Sequence, residues 1–175
     1  MKCSGMKPQD VVVLLKIIAF NDTNWTSARI ANELKISASE ISGALERCRM
    51  AKLIDNVKRR VNVLALEEFL IYGLKYVFPP QLGAVVRGVA TSFSAEPVKS
   101  KIKQGNDAFV WPYKYGTERG QSVVPLYSTV PEACVEDEEL YELLVIADVF
   151  RMGRVREVEI AKEELKLRLS KYAKL

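Results

Sequence analysis

The 175-residue sequence contains no histidine. That absence removes imidazole general bases, Ser-His and Cys-His nucleophilic pairs, and histidine metal ligands. Cysteine is scarce. Cys3, Cys48 and Cys134 lie far apart with no C-x-x-C spacing, so no zinc site is expected, and an odd, sparse count suits a reducing cytosol. There is no Walker loop and no G-x-G-x-x-G, so no nucleotide cofactor is expected. The run "VVVLLKIIAF" is too short to span a bilayer, and the opening "MKCSGMKPQD" lacks the apolar stretch of a signal peptide. The acidic cluster Glu136 to Glu139 is spaced like neither a metal loop nor a catalytic dyad. The expectation is a cytoplasmic, non-enzymatic protein with no metal, no cofactor and no membrane partner.

About half of the residues are apolar, enough to build a core, and the net charge is +4. Lys and Arg outnumber Asp and Glu by 11 to 6 over residues 1–65 and by 7 to 5 over 66–130, then fall behind by 8 to 11 over 131–175. A basic front and an acidic back fit a polyanion partner at one end and a different partner at the other; a solvated surface accounts for the same imbalance.

Val11, Leu14, Leu15 and Ile18 recur at helical spacing, with Pro8 in the first turn. A second helix is predicted after Thr26, a good N-cap, with Trp25 and Ile30 in the two positions of a hydrophobic staple. A third begins at Ser37, with Glu40 three residues on and a stripe of Ile41, Ala44, Leu45 and Cys48. Two short helices joined by a tight turn, with small Ala31 at their approach, have the pattern of a helix-turn-helix. Residues 8–65 resemble the winged helix of the MarR-type regulators, departing at the turn, where Lys35 stands in place of the usual glycine. More widely, "KPQDVVVLLKII", "EFLIYGLKYVFP", "VVPLYSTVPEA" and "LYELLVIADVFRMGRVRE" resemble a family of bacterial proteins labelled MarR-like. Some members are encoded beside nucleotidyltransferase-type proteins in toxin–antitoxin-like pairs.

The resulting fold expectation is mainly α: a winged helix-turn-helix domain with its following helix (1–78), a proline-rich irregular strap packed on the core (79–130), and a C-terminal helical hairpin (131–175). Two outcomes are open for the wing. "LIDNVKRRVNVLA" can form a hairpin, or Asn62 can cap a helix and consume the second strand. Six of the seven prolines fall between residues 79 and 131, which is the reason for expecting irregular structure there. In the tail, Asp137 can cap "EELYELLVIADVFRM", whose centre is apolar on nearly every side, and Gly153 separates it from the amphipathic "RVREVEIAKEELKLRLS".

In the helix-turn-helix alignment, Ser37, Ala38, Ser39, Ser42, Gly43 and Glu46 face a DNA groove, while Arg47, Arg49, Lys52, Lys58, Arg59 and Arg60 can hold the backbone; Thr26 is a further candidate DNA-binding residue, and Glu40 and Glu46 repel phosphate unless turned aside or paired. The recognition helix lacks, in its first two turns, the Arg, Lys, Asn or Gln that read bases bidentately. Serines position more than they specify. The leading expectation is therefore a DNA-binding transcriptional regulator of double-stranded DNA, acting as a homodimer, with autoregulation as one form of the role. The alternative is an antitoxin-like interaction module for a co-encoded nucleotidyltransferase-type protein. Leu144, Asp148, Phe150, Arg151 and Arg154 are the candidate dimer or partner interface, and an ion-pair network closing the hairpin is the competing reading of the charged three. "FVWPYKYGTERG" interleaves Trp111, Tyr113 and Tyr115 with Lys114 and Arg119. That mixture can stack on single-stranded bases or simply anchor the strap. "KSKIKQG" adds Lys99, Lys101 and Lys103.

Overall fold

A computed structural model describes residues 5–102 and 108–174. Cys3 and Lys103 lie outside them. The core is organised around two helices, α1 (Pro8–Phe20) and α7 (Glu138–Met152), which pack on each other. Both are apolar on almost every side, and a helix of that kind is stable in water only when surrounded by protein. The two charged groups buried on α1, Asp10 and Lys16, are paired. Asp10 takes a two-pronged contact from Arg47 on α3 (2.6 and 2.8 Å) and also accepts from the Lys7 N–H. Lys16 bridges Glu33 on α2 to Asp137, the N-cap of α7.

Helices α2 (Ser27–Leu34) and α3 (Ala38–Met50) pack on α1. The Thr26 hydroxyl accepts from the Arg29 N–H and the Ser37 hydroxyl from the Glu40 N–H. Between the helices Lys35 adopts a left-handed conformation (φ 56°, ψ 39°), and the Ile36 N–H donates to the Ala31 carbonyl. A side chain in that region costs roughly 1–2 kcal/mol; burial of Ile30, Leu34, Ile36 and Ile41 around the turn offsets it.

The mainly-α, winged-helix expectation is overturned: the chain is a mixed α/β protein. Residues 51–62 carry a single antiparallel bridge, Ile54 to Val61, instead of a two-stranded wing. Asn62 caps the next helix, its side chain accepting from the Ala65 N–H. That helix, α4 (Val63–Glu68), runs through a π turn (Phe69–Gly73) into α5 (Leu74–Val77). The segment expected to be an irregular strap holds the sheet. Strand β1 (Leu82–Ala90) pairs antiparallel with β2 (Phe109–Pro112) and with β3 (Glu118–Val123), and β2 pairs parallel with β3, so the three strands close on themselves. Prolines flank these strands or end them, as Pro112 does. Close approach sets the glycines: a Cβ on Gly88 would lie 2.0 Å from the Trp111 carbonyl oxygen.

One buried cluster fastens the sheet to α7. Asp148 accepts from the Thr91 hydroxyl (2.8 Å), the Trp111 indole N–H (2.7 Å) and Arg151 (2.7 Å). Arg151 also donates to the backbone carbonyls of Phe78, Pro79 and Val124. α6 (Val130–Cys134) precedes α7. α8 (Val155–Tyr172) packs on α7, and its Arg168 joins Glu142 of α7 to Glu164.

These cross-element ion pairs set the acid response. Burial pulls the Glu33 and Glu164 carboxyls upward, but Lys16 and Arg29 around the first, and Lys101 and Arg168 around the second, hold both below their ordinary 4.5. A carboxylate depressed in the folded state stabilises above its unfolded pKa and loses that contribution as pH falls through the folded value. The urea midpoint should be flat from pH 7 to about 5 and drop below about 4.5. The double variant Glu33→Gln, Glu164→Gln should show a shallower acid limb; an unchanged limb would remove these two pairs as its origin.

Candidate nucleic-acid interface

The outer face of α3 carries Ser39 and Ser42, both exposed, with Gly43 and Glu46 half-buried beside them. It is exposed because the apolar stripe Ile41, Ala44, Leu45 and Cys48 turns the opposite face into the core. The N-terminus of α2 lies to one side and the loop 55–61 to the other. A cleft of about 320 Å³ between them is lined by Thr26, Ser27, Ser42, Lys58 and Arg59 over Trp25. A second, of about 500 Å³, is lined by Arg49, Lys52, Asp55 and Arg60. With Arg47 taken up by Asp10, five cations (Arg49, Lys52, Lys58, Arg59 and Arg60) face three carboxylates (Glu40, Glu46 and Asp55) around α3 and this loop, a local excess of two positive charges.

Several of the expected phosphate-holding residues are engaged within the chain. Arg47 is clamped on buried Asp10 and is corrected to a structural tie between α3 and α1. Arg49 and Lys58 both pair with Glu46 (2.5 and 2.6 Å). Arg49 first, then Lys58, holds that carboxyl down to about 2. Arg59 donates to the Trp25 carbonyl (2.7 Å) and lies 5.2 Å from the Trp25 ring centre. Lys52 and Arg60 have no carboxylate partner among the described residues, which leaves them the freest cations of this face. The Trp25 indole N–H is buried without an acceptor among the described residues. Glu40, a source of phosphate repulsion in the sequence reading, accepts from the Tyr127 hydroxyl.

Sequence reasoning brought Thr26, Ser42, Lys58 and Arg59 to one cleft, and Ser37 to the cap of α3. It did not find Ser27 or Asp55. Trp25 stood out only as a staple residue, which explains its burial but not the guanidinium on its face.

The residues expected at a dimer or partner interface are mostly interior to the protomer. Leu144 and Phe150 are 1 % and 2 % exposed, enclosed by this chain alone. Asp148 and Arg151 belong to the buried cluster under the sheet. Arg154 is exposed as the N-cap of α8, where its N–H donates to Glu157. Burial raises the thiols of Cys48 and Cys134 far above neutrality, Cys48 to about 12, so neither is a ready nucleophile at pH 7. Among the described residues no helix is long and apolar enough to cross a membrane, and no cluster of acidic or cysteine residues could hold a metal ion.

No family model matches the chain, and no curated protein and no solved structure matches it.

Proposed function

We propose that this protein binds double-stranded DNA through the α2–α3 face, in the cytoplasm, as a regulator that holds the phosphate backbone and reads bases weakly. The carrying observation is the pair of cation-lined clefts where α3 meets the loop 55–61. Backbone contacts supply affinity without sequence information, and small side chains on the groove-facing helix allow close approach. The resemblance to MarR-like regulators points the same way. Duplex affinity should fall steeply with salt. The double variant Lys52→Ala, Arg60→Ala should weaken binding across unrelated sequences and flatten the salt slope by about two units, roughly 0.9 per lost phosphate contact. The contacts these residues make within the chain are backbone ones, which alanine keeps, so the melting temperature should hold. Folded protein at micromolar concentration that leaves duplex DNA unshifted at low salt would end this reading.

A second reading is an interaction module for another protein, such as a co-encoded nucleotidyltransferase-type partner. It is favoured by Leu64, Tyr72 and Tyr76, which stand more than half exposed along the helix of residues 63–77. Co-purification with the neighbouring gene product, abolished by Tyr72→Ser with Tyr76→Ser, tests it.

A further inference from the structure

The sheet carries two arginines directly across from each other. In the β1–β3 register Arg87 faces Arg119, and residues paired this way project from the same face. Like charges so placed repel, and neither guanidinium has a carboxylate partner among the described residues. Both are exposed. The row continues on the β2 side: the Tyr113 N–H donates to the Arg87 carbonyl (3.2 Å), one step beyond the pair Gly88–Pro112. Tyr115 packs edge-on against Tyr113, with ring centres 5.6 Å apart, and is 70 % exposed. Lys114 lies over the Tyr115 ring. On the other side Arg119 borders a depression of about 450 Å³ lined by Val85, Phe109 and Gln121.

The Arg87 and Arg119 side chains make no ion pair or hydrogen bond among the described residues, and Lys114 and Tyr115 stay on the surface. Trp111, the aromatic of the same segment that does anchor the sheet, is buried on Asp148; the tyrosines and arginines lie outside that anchor. A repelling arginine pair becomes favourable when an anion bridges it, because each guanidinium offers a planar fork that fits phosphate oxygens. A depression lined by Val85, Phe109 and the Gln121 amide, with tyrosines on the opposite flank, fits unpaired bases, whose flat faces pack on aromatic and apolar side chains.

The geometry points to a binding site for single-stranded nucleic acid on this sheet face. Phosphates bridge Arg87 and Arg119, and flanking bases rest against Phe109 on one side and Tyr113 and Tyr115 on the other. The site is separate from the α2–α3 face and does not depend on the duplex reading.

The test is fluorescence anisotropy of a labelled 12-nucleotide thymidine oligomer at low salt, with tripolyphosphate as a second probe. Wild type should bind the oligomer. The double variant Arg87→Ser, Arg119→Ser should lose roughly tenfold or more in affinity, and its salt slope should drop by about 0.7 per lost phosphate contact. Its melting temperature should stay level or rise, since a repulsion is removed. Tyr115→Ala should lose about fivefold with the salt slope unchanged, as expected for a stacking contact. The Lys52, Arg60 variant should bind the oligomer like wild type, so failure of the duplex reading and failure of this one are separable. A wild type that ignores the oligomer, a double variant that binds it equally, or binding of tripolyphosphate alone would each overturn the proposal.

Discussion

Asp148→Ala is expected to remove most of the stability of this chain. The carboxylate is 1 % exposed and satisfies three donors on three segments: the Thr91 hydroxyl, the Trp111 indole and the Arg151 guanidinium. Its loss leaves Arg151 buried with a charge that only backbone carbonyls face. Breaking a buried pair by deleting one partner costs about 3–5 kcal/mol, most of it the uncompensated charge. An indole N–H and a hydroxyl lose their acceptor as well, at about 1–3 kcal/mol each where no replacement is found. Against a total of about 5–15 kcal/mol for an ordinary domain, the variant should be largely unfolded near 37 °C. Urea titration followed by tryptophan emission measures it, because Trp111 is freed as the sheet detaches. Arg151→Met together with Asp148→Leu should recover part of the loss, since removing both charges removes the unpaired one. A single Asp148→Ala variant within about 1 kcal/mol of wild type would show that this cluster does not hold the sheet.

The second large effect concerns α7. Leu144→Asn combined with Phe150→Asn should unfold the chain, not merely alter its assembly. Both side chains sit inside the protomer between α1, α8 and the sheet-bearing segment. Truncating a buried leucine costs about 2–5 kcal/mol and a buried phenylalanine about 3–5, and a polar amide without partners adds its own desolvation penalty. Far-ultraviolet circular dichroism beside light scattering separates the outcomes. Loss of helix signal and cooperative melting is expected. A double variant that keeps a native spectrum and melts cooperatively would return these residues to an interface and show that α7 is not core.

The local stops and starts of the helices were readable because each has a short-range chemical signature. Thr26, Ser37, Asn62 and Asp137 accept from the N–H three residues on in the structure. The apolar period from Val11 to Ile18 announced a helix, and the apolar run of residues 143–150 announced a buried one; that the first helix is equally enclosed appears only in the structure. The sheet was not readable. A long connection, residues 91–108, separates β1 from β2, the glycines are set by backbone approach across the sheet, and proline density argued for irregular chain. A parallel β2–β3 contact depends on pairing that no local pattern encodes. Asp148 and Arg151 were visible as a helical i, i+3 pair; that they hold Thr91, Trp111 and three carbonyls follows only from the sheet. On the α2–α3 face, residue types were legible, whereas their allegiances were not: Arg47 reaches 37 positions back to Asp10, a contact the helix pattern alone does not specify.

The closure of three short strands on themselves, with Arg151 gripping the chain at Phe78, Pro79 and Val124 just outside both ends of the sheet, has a consequence for how the molecule comes apart. The sheet has no free margin from which to fray, and its entry and exit are tied to the same turn of α7. Thermal opening of the strands therefore requires α7 to leave its place beside α1. The sheet and the two central helices form one cooperative unit, whose opening free energy approaches that of the whole chain. The loop 55–61 lies outside this unit: Val61 anchors its end on the Tyr172 hydroxyl, while Asn56, Val57, Arg59 and Arg60 stand exposed. The same loop carries Lys58, Arg59 and Arg60 of the α2–α3 face, so that part of the proposed DNA-binding surface is attached to the cooperative unit and is not part of it.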